Sequence, residues 1–79
     1  MAWKRDYSFK NEKMRALRAR AWMRQKDMAE KMELTASQIS RIEHGHNTPQ
    51  MNTVMRIAKA LDVNPEELVE WQDPLDDLD

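Results

Sequence analysis

The stretch Gln25 to Glu43, QKDMAEKMELTASQISRIE, decides how this chain is read. It divides into two short helices joined by a tight turn. The first carries Met28, Ala29 and Met32 on one face. The second starts at Thr35 and sends Ile39 and Ile42 inward at i, i+3 spacing. Its other face shows Ala36, Ser37, Gln38 and Arg41, which are small or hydrogen-bonding. A short helix of that make-up, held out by a first helix, suits the major groove of DNA. It equally suits an ordinary hairpin in a small helical bundle. The pattern of this stretch alone leaves both readings open.

Composition narrows the choice. A chain of 79 residues makes one domain at most. At that size only about 60% of the unfolded surface is buried, so a partner would help. Without cysteine there is no disulfide and no thiolate zinc site, which fits a reducing cytoplasm, the expected location. No apolar run is long enough for a membrane helix, and no signal peptide precedes the charged start, so no membrane partner is expected. One glycine and three prolines leave few turn signals, so helices should dominate. One Phe, one Tyr and three scattered Trp are too few for a base-stacking platform, which weighs against a single-strand binder.

The net charge of −1 hides a dipolar chain. Residues 1–31 hold ten basic and four acidic side chains, a net of +6. Residues 32–79 hold three basic and ten acidic ones, a net of −7. A basic end can meet phosphates even when the whole is neutral. A solvated face plus a solubilising tail would give the same numbers.

Outward from the central stretch, residues 1–9 read as an arm in which Lys4 and Arg5 either touch a DNA backbone or, as the simpler reading, are solvated, with Trp3, Tyr7 or Phe9 covering part of the core. A first helix is expected from roughly Asn11 to Ala21, with Asn11 as its N-cap and Met14, Leu17 and Ala21 inward. Thr35 caps the helix Ala36 to Glu43, and Gly45 can take the left-handed conformation that ends it. The loop His44 to Pro49 is polar. A fourth helix, roughly Met51 to Leu61, puts Met51, Val54, Ile57, Ala58 and Leu61 on one face. Asn64-Pro65-Glu66-Glu67 gives an N-cap, a proline at the first helical position and a capping-box glutamate. It predicts a short fifth helix through Leu68, Val69 and Trp71. The domain is expected over residues 10–71, and the acidic tail 72–79, broken by Pro74, is expected to fray.

These pieces, taken in order, resemble the lambda-repressor-like helix-turn-helix family, the Cro and XRE group of bacterial and phage regulators. The resemblance covers about Met14 to Trp71. It is carried by Leu17-Arg18, Gln25 with Met28-Ala29, Ile39-Ser40-Arg41-Ile42-Glu43, Gly45, Pro49, Thr53 to Leu61 and Pro65 to Leu68. It implies an all-α, compact five-helix DNA-binding domain. It implies that Ala36, Ser37 and Arg41, with Gln38 close by, face the bases. Arg41 suits guanine O6 and N7, and Ala36 suits a thymine methyl. Gln25 would hold a phosphate at the N-terminus of the second helix. Arg24, His44, His46, Asn47 and Thr48 would lie near the backbone. Arg18 and Glu43 match a pair that forms an internal salt bridge in some relatives.

Three positions depart from the family pattern. Glu33 stands where glycine is usual in the turn between the second and third helices. Trp22 stands where glycine often follows the first helix. Arg24 replaces the usual Ser or Thr before the glutamine.

The expected function is a sequence-specific regulator of double-stranded DNA, a repressor acting as a homodimer on a palindromic operator. Dimerisation would come from the region of Leu68, Val69 and Trp71. The rival is an antitoxin or adaptor that uses the same fold for a protein partner, favoured only by the acidic tail. An enzyme is not expected, nor a cofactor or metal. His44 and His46 have no carboxylate at ligand spacing, and the tail aspartates lack the glycine and terminal glutamate of a calcium loop. No phosphate-cradling glycine loop or catalytic triad is legible.

Overall fold

The computed structural model describes residues 6–72. The tail aspartates, Trp3, Lys4 and Arg5 lie outside the described residues. Four helices form the body: α1 (Asn11–Arg20), α2 (Gln25–Met32), α3 (Ala36–Glu43) and α4 (Met51–Leu61). A strand β1 (Asp6–Phe9) precedes them, and a 3₁₀ turn (Pro65–Glu67) and a strand β2 (Val69–Gln72) come after.

The core is the meeting of the apolar stripes. Met14 and Leu17 of α1, Met28, Ala29 and Met32 of α2, Ile39 and Ile42 of α3, and Val54, Ile57, Ala58 and Leu61 of α4 are all buried. Full burial of a side chain such as Met28 or Ile57 is worth roughly 1.5–3 kcal/mol. Methionine serves here as an adaptable filler between short helices. Ala21, expected to face inward, is exposed, because α1 ends one residue earlier and the chain turns away.

All four helices end by the same device. In each, a residue two or three positions past the helix end donates its N–H back to a carbonyl five residues earlier. The bonds are Met23 to Arg18, Leu34 to Ala29, His46 to Arg41 and Val63 to Ala58, at 2.9–3.1 Å. This is the Schellman arrangement, and it requires a left-handed residue just before the donor. Those residues are Trp22 (φ 57°), Glu33 (φ 56°), Gly45 (φ 76°) and Asp62 (φ 58°). Glycine meets the requirement without strain only once. At Gly45 an added Cβ would sit 3.5 Å from the Asn11 amide, so the backbone angle, not space, favours glycine. Aspartate tolerates the left-handed region, but Trp22 and Glu33 each carry a cost of roughly 1–2 kcal/mol. The turn between α2 and α3 therefore keeps its left-handed geometry despite Glu33. Three of the four donors (Met23, Leu34 and Val63) also pack an apolar side chain on the core. The exception is His46, which stays exposed.

The fifth helix is not formed. After one 3₁₀ turn the chain becomes β2, which pairs antiparallel with β1 in the register Tyr7 opposite Trp71 and Phe9 opposite Val69. The Asn64 N–H does bond the Glu67 carboxylate at 3.3 Å, so the start signal is real. The next residues, Val69-Glu70-Trp71-Gln72, are too few for a stable helix and rich in β-formers. Asp6-Tyr7-Ser8-Phe9 alternates polar and aromatic, and its burial alternates exposed and half-buried to match. Tyr7 and Trp71 meet edge to face with ring centroids 5.6 Å apart. Part of the expected arm is thus a strand. Its Tyr7 hydroxyl donates to the Pro49 carbonyl and so ties the sheet to the loop after α3.

Candidate nucleic-acid interface

The interface is built around the C-terminal residue of α3. Glu43 is fully buried. A buried carboxylate is costly unless it is paired and hydrogen-bonded. Here Arg18 Nε lies 2.5 Å from Oε2, and Arg18 Nη2 donates to Oε1 at 3.0 Å. Gln25 Nε2 donates to the same Oε1 at 3.1 Å. Arg18 Nη1 also bonds the Met23 carbonyl at 2.8 Å. The Glu43 backbone carbonyl accepts from Asn11 Nδ2 at 2.9 Å. One residue therefore fixes the end of α3 to α1 and to the first residue of α2. Among the described residues no buried side-chain polar atom lacks a partner.

Asn11 departs from the sequence reading. It is the first residue of α1 rather than its N-cap, which is Lys10, and its amide serves α3 instead. Arg18 and Glu43 form an ion pair across α1 and α3. Gln25 uses one of its two amide hydrogens on Glu43, which orients its side chain at the N-terminus of α2.

At its other end α3 starts from a capping box. Gln38 N–H donates to Thr35 Oγ1 at 3.1 Å, and Thr35 N–H donates to Gln38 Oε1 at 2.9 Å. Gln38 thus spends its carbonyl on the cap and keeps its amide donors for other partners. Ala36, Ser37 and Arg41 are exposed. Among the described residues the Arg41 guanidinium makes no hydrogen bond or ion pair. The alternative of a surface arginine paired with a carboxylate finds no partner there.

Arg41 lines a groove of about 350 Å³ between α3 and α4, together with Gln38, Asn47, Thr53 and Arg56. The Arg56 guanidinium donates to the Met32 carbonyl, which closes the open end of α2. In the loop, His44 Nδ1 lies 2.7 Å from the Ser40 carbonyl, and the His44 and His46 rings are 6.3 Å apart. Asn47 and Thr48 are exposed beside them. Arg24 is occupied by Asp27. The Asp27 carboxylate accepts from the Arg24 backbone N–H at 2.9 Å and from its guanidinium at 3.2 Å. The guanidinium hydrogen bond, then the backbone one, holds the Asp27 carboxyl below the usual carboxylate range. Asp27 supplies the half of a capping box that the loss of Ser or Thr at position 24 leaves available. Sequence reasoning assigns Asn11, Asp27 and Arg56 no part in this site: Asn11 and Arg56 act through distant backbone carbonyls whose positions only the fold defines, whereas the Arg24–Asp27 spacing of a capping box is a local signal that could have been read.

Two short helices joined by a tight turn, with an exposed polar outer face on the second, form a helix-turn-helix. A family model for a Cro/C1-type HTH DNA-binding domain matches residues 13–74. The chain belongs to that family. Among solved structures it is similar to the restriction-modification controller protein C.AhdI from Aeromonas hydrophila. That match has a TM-score of 0.69 at 26% identity and covers 72% of this chain and 86% of that one. The P22 c2 repressor, solved in complex with a synthetic operator, aligns at TM-score 0.68 and 24% identity over 75% of this chain and 89% of the repressor chain. A protein from Bacteroides fragilis shares the fold at TM-score 0.70 and 20% identity, covering 82% of this chain and all of that one, 100%. No curated protein sequence matches. Among the described residues no helix is long and apolar enough to cross a membrane.

Proposed function

We propose that this protein is a sequence-specific regulator that binds double-stranded DNA as a homodimer and represses transcription from a palindromic operator. The observation that carries this reading is the outer face of α3. Ala36, Ser37 and Arg41 are exposed, and Arg41 has no protein partner among the described residues, on a helix whose opposite face and C-terminus are fixed by the core and by Glu43. An unpaired arginine on a rigid mount is what bidentate recognition of guanine needs. Gln25, Arg24, His44, His46, Asn47 and Thr48 supply phosphate contacts on either side and set the register without reading sequence. Gln38 adds an amide donor at the edge of the reading face. The likeness to the P22 c2 repressor and to C.AhdI supports the regulatory role.

For the dimer, Leu68 and Val69 contribute nothing at the surface, since both are buried in the protomer's own core. The contact would instead use the β1–β2 end, where Trp71 is 39% exposed. Half-sites would then be spaced about one helical turn apart, some 34–36 Å.

Selection of bound sites from random duplex DNA at two salt concentrations tests this. A two-fold symmetric site recovered at both is the expected result. Weak, sequence-blind binding that is lost steeply with salt would reduce the interaction to backbone attraction and defeat the proposal.

A further inference from the structure

Trp22 has no role in the fold that glycine would not fill better. It occupies a left-handed backbone position at φ 57°, where a side chain is a handicap. Its side chain is 94% exposed. Among the described residues that side chain makes no hydrogen bond and no ring contact. An indole held in water on a strained turn is unfavourable for an isolated domain, so its use lies in something that arrives.

The surroundings say what arrives. Trp22 sits two residues before Arg24 and three before Gln25, at the N-terminus of α2, so its Cα is within roughly 7 Å of that of Arg24. Arg20, Arg24 and Lys26, two to four residues from it along the chain, are all exposed. The nearest carboxylate in sequence, Asp27, is already paired with Arg24. The patch therefore offers a flat apolar ring with one N–H donor, set among cations. A sugar–phosphate strand has the complementary chemistry, with an apolar sugar face and anionic oxygens on both sides. A protein partner with a basic or purely apolar surface does not.

We propose that Trp22, flanked by Arg20 and Arg24, is a DNA-backbone contact that extends the phosphate anchoring at the N-terminus of α2. It packs its ring on a deoxyribose and offers its N–H to a phosphate. This rests on the DNA-binding function proposed above. The contact reads no base, so it acts on every sequence alike.

The test uses the full chain as W22G and W22F. Each is measured for thermal unfolding without DNA and for affinity to two duplexes, the selected site and a scrambled one. W22G is expected to melt higher than wild type and to bind both duplexes about tenfold more weakly, within the range for loss of one aromatic contact to nucleic acid. W22F keeps an aromatic face but loses the indole's second ring and its N–H, so it should fall between wild type and W22G on both duplexes. Unchanged affinity of W22G for both duplexes overturns the proposal while leaving the α3 reading intact. Weaker binding traced in sedimentation to a weaker dimer overturns it in favour of a second copy as the occupant. Failure of wild type to bind either duplex overturns this proposal and the DNA-binding function together.

Discussion

The two ends of α3 are held in opposite ways. Its C-terminus is fixed inside the protein, where buried Glu43 gathers Arg18, Gln25 and Asn11 from two other helices. Its N-terminus is capped locally, through the exposed exchange between Thr35 and Gln38. The buried end sets the angle of the helix against α1 and α2. Ala36 and Ser37 at the exposed end stay open to solvent, as does Arg41 in the last turn, beside the buried end. A reading helix needs both: a mount that does not shift and a face that is not already occupied.

The largest effect should come from the buried end. Glu43→Ala leaves Arg18 partly buried and unpaired and is expected to cost about 3–5 kcal/mol, a large share of the stability of so small a domain. Replacing both partners, Arg18→Met with Glu43→Leu, should recover much of that loss, since two apolar groups leave no stranded charge. Urea unfolding of the three variants decides it. A double variant as unstable as Glu43→Ala would show that the ion pair does more than position the helix. At the exposed end the effect is smaller. Thr35→Ala removes one capping acceptor and should cost about 1 kcal/mol in the same measurement. A loss as large as that of Glu43→Ala would erase the contrast between the two ends.

The turn that leads into α3 sharpens the contrast from the other side. Glu33 holds a left-handed angle without a glycine's freedom. Glu33→Gly should stabilise by about 0.5–1 kcal/mol, because relief of strain exceeds the added entropy of the unfolded chain. A loss of stability would mean that the Glu33 side chain has a structural use. The smallest effect belongs to Arg24 and Asp27. Asp27 has a folded pKa below its ordinary value, so its contribution is present above the unfolded carboxylate range. It fades as pH falls through the lower, folded value. Acid titration of unfolding should show a slight loss below about pH 4 that Asp27→Asn lacks and that salt reduces. A loss that appears near neutral pH would contradict the assignment.

Much of this is legible in the sequence, and for physical reasons. α2, α3 and α4 follow from a period of 3.6 that matches their buried faces, and Thr35 and Gly45 mark the ends of α3. The Arg18–Glu43 pair is reached through family resemblance. Spacing could not have supplied it, because twenty-five residues separate the two. The terminal sheet is not legible in the same way. The capping signal Asn64-Pro65-Glu66-Glu67 is correct, but Val69 and Trp71 do not support its extension into a helix. The alternation in Asp6-Tyr7-Ser8-Phe9 is a strand signal of only four residues, and its partner lies sixty or more residues away. The role of Asn11 is hidden because its local pattern, a capping residue before Glu12, satisfies a rule that the fold does not use.

The central claim is that Arg41 reads sequence from a helix the protein has already fixed in place. Arg41→Ala, compared with wild type by site selection and by thermal unfolding, tests it most directly. The expected result is unfolding within about 0.5 kcal/mol of wild type and loss of preference at one base pair per half-site, about 1–3 kcal/mol of discrimination. Specificity that survives intact in a folded Arg41→Ala protein would show that the outer face of α3 is not where this protein reads DNA.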